Sequence, residues 1–232
     1  MSRIERETRE TRIALDVQRG EGRADVETDD PFLTHMLVVL CRYAGLDLTL
    51  RATGDLLHHL VEDVAIALGT GLADEVPATA TRYGAALIPM DDALVEAAID
   101  VGGRAYYEGG LPSGLYEHFL QSLAMNLGAT LHVRVLRGRD RHHVVEAAVK
   151  ATGLALRQAL GEGGSVFSTK GSVRLERKPD GVLDEPGLDA PDATGGGTGP
   201  EGTQAGGRSG EGPDESAGTG AGDTGGGGGA PC

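Results

Sequence analysis

Apolar and polar residues alternate over residues 11–18, with Ile13, Leu15 and Val17 on one side, and the run stops at Arg19-Gly20-Glu21-Gly22. A period of two marks a half-buried strand, and the second alternating run at residues 24–28 predicts its hairpin partner. From Pro31 the period lengthens. Phe32, Leu33, Met36, Leu37 and Leu40 recur at helical spacing, with Pro in the first turn where its missing N–H does no harm. Residues 46–51 then read as a strand and residues 58–72 as a helix broken near Gly69 and Gly71. The second half opens with residues 82–88, a turn at Pro89-Met90-Asp91-Asp92, a strand over 93–101 whose alanines equally suit a helix, and a short run at 105–108. A helix over 116–128, a strand over 130–136 and a long helix over 142–160 complete it. Strands, helix, strand, helix, twice over, predict an α+β fold of layered sheets and helices with an internal duplication. Residues 1–90 make the first repeat and residues 91–176 the second.

Patterning fades beyond residue 176. Residues 177–232 carry half of the chain's 38 glycines and almost nothing apolar after Leu188, too little to offset chain entropy, so a disordered Gly-rich acidic tail is expected. The formal charge of −14 is concentrated there: ten acidic residues and one Arg after residue 179 leave only about −5 for the rest. So mildly acidic a domain lacks the dense basic surface that nucleic acid requires. Cys41 and Cys232 form no disulfide framework, the N-terminus has no apolar leader, and no run reaches membrane-spanning length. A cytoplasmic protein without membrane or nucleic-acid partners is expected.

Chemistry enters with His142-His143-Val144-Val145-Glu146 and its earlier echo His58-His59-Leu60-Val61-Glu62. On a helix the first His and the Glu lie on one face, and the second His looks aside. Imidazole with carboxylate and no thiolate suits first-row divalent ions such as Mn, Fe or Zn. A single copy reads as a polar helix face. Two copies in a chain of seven histidines read as a ligand set. The echo extends upstream, where His35 precedes His58 and His118 precedes His142 at nearly the same spacing. Eight candidates result: His35, His58, His59, Glu62, His118, His142, His143 and Glu146. They are too many for one ion and suit two sites with open positions for substrate. The seventh histidine, His132, alternates with Thr130 and Arg134 on a polar strand face and aligns with Thr49 of the first half, so it is not expected to be a ligand.

These stretches, with Arg9-Glu10-Thr11, Pro31-Phe32-Leu33-Thr34-His35-Met36-Leu37, Arg51-Ala52-Thr53-Gly54-Asp55, Glu117-His118-Phe119-Leu120-Gln121-Ser122 and Ser168-Thr169-Lys170-Gly171, resemble the imidazoleglycerol-phosphate dehydratase family from about residue 6 to residue 173. The resemblance implies a duplicated fold like domain 2 of ribosomal protein S5, and a large homo-oligomer, a 24-mer, with metals at subunit contacts. It also implies two Mn²⁺ per active site on the eight ligands, bridged by the substrate imidazole of D-erythro-imidazole-glycerol phosphate. The metals then stabilise an imidazolate that expels the hydroxyl, and a diazafulvene-like intermediate loses a proton to give the enol of imidazole-acetol phosphate. Glu10 matches the family's N-terminal catalytic Glu; on its residues alone it reads as an exposed Glu in a charge-rich strand. Ser168 and Lys170 match the phosphate-binding end, and Arg104 matches a further phosphate contact.

The chain also departs from the family. Thr34 stands where an Asp is usual, Val39 and Tyr43 stand where Gln and His are usual, and the loops before His58 and at residues 109–115 are shortened. The ligand set is complete while the substrate shell is thinned. Two readings follow: a working dehydratase of histidine biosynthesis, or a metal-binding homo-oligomeric paralogue whose catalysis is lost or redirected to another phosphorylated azole.

Overall fold

Alternation becomes strand, but not in the pairing that the sequence suggests. The computed structural model describes residues 1–163. In the first unit β1 (Ser2–Glu7), β2 (Thr11–Arg19) and β3 (Ala24–Thr28) lead into α1 (Pro31–Ala44), β4 (Leu46–Gly54) and α2 (Leu57–Asp74). The sheet order is β1-β2-β4-β3. No β2–β3 hairpin forms, because β4 lies between them, antiparallel to β2 and parallel to β3. Burial explains the order. β2 and β4 carry full apolar stripes, Ile13, Leu15 and Val17 facing Leu46, Leu48, Leu50 and Ala52, and take the centre, whereas β3 has only Ala24 and Val26 and takes an edge. The hairpin partner of β2 is β1, a strand unforeseen because Ile4 is its one large apolar residue.

The second unit repeats the plan with β5 (Tyr83–Met90), β6 (Ala93–Asp100), β7 (Tyr106–Glu108), α3 (Gly114–Leu127), β8 (Thr130–Arg137) and α4 (Arg141–Ala159). Its sheet order is β5-β6-β8-β7, the same topology as the first. β5 pairs along its length with β6 and so belongs to the second sheet. Asp91, with φ of 47°, makes the two-residue turn between them, a conformation that Asp tolerates better than most residues.

Helices α1 and α2 cover the first sheet and α3 and α4 the second, and the two layers then pack crosswise, α1 on α4 and α2 on α3. Glycines allow the crossings to be close. A Cβ on Gly69 of α2 would lie 2.7 Å from the Leu123 carbonyl of α3, and one on Gly153 of α4 would lie 2.9 Å from Cβ of Tyr43 on α1. For this reason α2 runs unbroken through Gly69 and Gly71: these glycines serve packing rather than a break. Leu, Val and Ala from both units fill one continuous core. Among the described residues no helix is long and apolar enough to cross a membrane.

Candidate metal centre

Each His-His pair sits in the first turn of a long helix. Asp140 caps α4, its carboxylate accepting from the backbone N–H groups of His142 and His143. That fixes the helix start, and one turn on His142 Nε2 lies 3.1 Å from Glu146 Oε2. The third group comes from the other unit. Asp30 caps α1 through Leu33 N–H, Pro31 fills the first turn, and the helix then presents His35 with its Nε2 3.5 Å from the same Glu146 oxygen. Ligand atoms of His35, His142 and Glu146 all lie within 4.8 Å of one another, the span of donors around a single ion. Phe32 walls the site, its ring 5.2 Å from that of His142.

The echo on α2 is looser: Leu56 gives that helix no side-chain cap, the His58 ring packs on His59 at 4.1 Å, and among the described residues only the His35–His142–Glu146 group brings three ligand atoms within 4.8 Å. Glu62 Oε1 lies 3.4 Å from Nε2 of His118 on α3, and His58, Glu62 and His118 line one hollow of about 300 Å³ with Val61, Gly114 and Leu115. The crosswise helix packing thus sends His35 of the first unit to Glu146 of the second, and His118 of the second to Glu62 of the first. Neither unit completes a cluster alone. Two imidazoles and a carboxylate are a donor set fit for a divalent ion, with positions left over.

Glu146 is 8 % exposed, and burial works against its charge. Lys150, one turn further on with a 3.0 Å contact to Oε1, and His35 together outweigh that, so the carboxyl stays below its ordinary range and Oε2 is left to face the imidazoles. Lys150 lies over the Tyr43 ring, 5.8 Å from its centroid.

The second imidazole of each pair is turned to other carboxylates. His59 Nδ1 lies 2.8 Å from Asp55 Oδ1, and His143 Nδ1 lies 2.8 Å from Asp92 Oδ1. These hydrogen bonds raise both imidazoles above the ordinary histidine range and hold Asp55 and Asp92 below the usual carboxylate range. Backbone N–H groups of Arg139 and Asp140 help to hold Asp92 down.

Glu10 stands in the turn between β1 and β2, its Oε2 3.6 Å from His59 Nδ1. The turn is pinned from behind. Thr8 Oγ1 accepts from the N–H groups of Glu10 and Thr11, the Thr11 hydroxyl donates to buried Asp63, and Arg6 holds the other Asp63 oxygen at 2.7 Å. Arg104 lies on the exposed β6–β7 loop, outside both clusters, with its carbonyl accepting from Thr130. Ser168 and Lys170 fall outside the described residues. His132 lies on the exposed face of β8, 5.5 Å from the Tyr106 ring, and joins neither cluster. Thr34 binds the Thr28 hydroxyl, Val39 is buried in the core, and Tyr43 carries Lys150. Sequence reasoning missed Lys150, Asp55 and Asp92. The first two had a usable signal, a charge one helical turn from a ligand; Asp92 had none, because only the tertiary fold brings the β5–β6 turn to α4.

Residues 28–156 match the family model described as imidazoleglycerol-phosphate dehydratase. A Pyrobaculum aerophilum protein of that name is 47 % identical over 182 residues, covering 72 % of this chain and 96 % of its own length. One from Methanoculleus marisnigri is 44 % identical over 191 residues, covering 74 % and 98 %. Among solved structures, the crystal structure of the enzyme from Pyrococcus furiosus aligns with a TM-score of 0.67 and 39 % identity, over 73 % of this chain and 100 % of that one. The Staphylococcus aureus enzyme aligns with a TM-score of 0.64 and 30 % identity, over 70 % and 99 %. With the duplicated sheet-and-helix architecture and the paired His/Glu clusters already in place, these matches settle the kinship: the chain belongs to the imidazoleglycerol-phosphate dehydratase family.

Proposed function

We propose that this chain dehydrates D-erythro-imidazole-glycerol phosphate to imidazole-acetol phosphate, a step of histidine biosynthesis, at a site that holds two divalent ions. The observation that carries the reading is the convergence of His35, His142 and Glu146; on the other helix pair His118 meets Glu62, and His58 lines the same hollow. Imidazole and carboxylate donors without thiolate suit a first-row divalent ion, and the family resemblance points to Mn²⁺. Such ions would supply Lewis acidity that favours the imidazolate form of the substrate ring.

The chain's own residues do the rest. Lys150 keeps Glu146 ionised and aims one oxygen into the cluster. Glu10, on a turn fixed by Thr8 and Thr11, is the group for moving the substrate proton. Arg104, Ser168 and Lys170 are assigned to the phosphate on the family resemblance. His59 and His143 are turned away from the clusters of their own chain, which fits them as ligands to centres on neighbouring copies of a symmetric homo-oligomer, and the family resemblance implies that this is a 24-mer.

Growth of a histidine-requiring strain that lacks its own dehydratase tests this directly. The chain should restore growth without histidine, and the His118→Gln variant should not. A folded, metal-loaded chain that fails to restore growth would favour the metal-binding paralogue instead.

A further inference from the structure

The duplication allows the two second imidazoles to be compared group by group. Val17 of β2 pairs with Leu48 of β4, and Ile99 of β6 pairs with Leu131 of β8, at matching places in the two sheets. Counting back seven residues from Val17 and from Ile99 reaches Glu10 and Asp92, so these two carboxylates are counterparts in the two hairpin turns. His59 and His143 are counterparts on α2 and α4, and the residues four places before them are Asp55 and Arg139. In the second unit the hairpin carboxylate Asp92 holds the imidazole at 2.8 Å, and position 139 offers only its backbone N–H, which binds Asp92 at 2.6 Å. In the first unit the hairpin carboxylate Glu10 stands off at 3.6 Å, and Asp55 holds the imidazole at 2.8 Å.

We propose that Asp55 is the positioning residue for His59, and that by taking this task it leaves Glu10, the counterpart of Asp92, free of any orienting bond. The geometry is specific. Asp55 Oδ1 also accepts from Leu56 N–H at 2.7 Å, which ties the carboxylate to the start of α2. A carboxylate on Nδ1 sets the proton there and leaves the lone pair on Nε2, the arrangement that a metal-ligating histidine needs. Were Glu10 to hold His59 as Asp92 holds His143, its oxygens would be committed to a fixed imidazole and lost to proton transfer. The two units have therefore diverged at one carboxylate each, and the difference in roles follows from the added Asp55. This inference rests on the reading of His59 as a metal ligand.

The test is Mn²⁺ affinity, measured by chelator competition on the full, assembled chain. Asp55→Leu should weaken binding by about 10- to 100-fold, as loss of a carboxylate behind a ligating histidine does. Asp55→Asn, whose amide oxygen can accept the same bond, should stay close to wild type, a rescue that a purely structural role for the charge would not give. Glu10→Gln should keep wild-type affinity while losing turnover. Should Asp55→Leu fail to fold, Asp55→Ser, which can still accept at the helix start but is too short for His59, carries the same expectation. Unchanged affinity in the Leu or Ser variant, or an equal loss in Glu10→Gln, would overturn the proposal. A wild-type chain that binds no Mn²⁺ would instead sink the metal reading itself. Tight binding without dehydration would sink the assigned reaction, and the order of affinities among the variants would still decide the role of Asp55.

Discussion

At the scale of single residues, histidines that look alike in sequence stand in different surroundings. His118 faces Glu62 across the α2–α3 crossing, whereas His132 lies on an exposed strand face beside Tyr106. His118→Gln should therefore lose metal and activity, and His132→Gln should keep its full metal content by elemental analysis. The reverse result would mean that the two units have been aligned wrongly. Lys150 gives a second expectation. Removing it leaves the buried Glu146 carboxylate without its ammonium partner, and unpaired buried charge is costly. Lys150→Met should lower the stability of the metal-free chain by about 1–3 kcal/mol. Added Mn²⁺ should recover part of the loss, because an ion at Oε2 replaces the missing positive charge; a loss that metal does not lessen would separate Lys150 from the centre. Residue type and spacing single out eight ligand candidates, of which the structure brings His35, His142 and Glu146 together around one point. The partners of His59 and His143, Asp55 and Asp92, were not legible, since orientation of an imidazole depends on which carboxylate the fold brings to Nδ1.

Among elements, helices were read nearly as they stand, because their apolar stripes and caps are local. Pro31 with Asp30 opens α1, and Gly45 at φ 67° closes it. Strand partners were not legible. The alternation of β2 and β3 is equally consistent with a hairpin, and it is the apolar stripe of β4 that draws both to itself. Nor did sequence distinguish a helix-breaking glycine from a packing one. Gly69 and Gly153 stand at the α2–α3 and α4–α1 crossings that carry His118 to Glu62 and His35 to Glu146. Gly69→Val and Gly153→Val should each force the helices apart and cost about 1–3 kcal/mol, read as a lower denaturation midpoint. Each should weaken Mn²⁺ binding as well, although neither glycine touches a ligand. Wild-type affinity in both variants would show that the crossings do not set the clusters.

For the whole molecule, duplication is the organising fact, and its repeat of ligand types was the clearest signal in the sequence. What the sequence could not show is that the clusters are exchanged between units: α1 serves α4, and α3 serves α2. A single unit therefore holds neither group by itself, and each group needs helices of both units. Turning His59 and His143 outward carries the same logic to neighbouring copies, so a chelator should weaken assembly together with activity, as a fall in particle size by light scattering would show. The central claim is that helices exchanged between the two units give each chain the groups for two metal ions. Metal stoichiometry tests it most directly: after chelation and reconstitution with Mn²⁺, elemental analysis should find close to two ions per chain, and one ion or none would contradict the account.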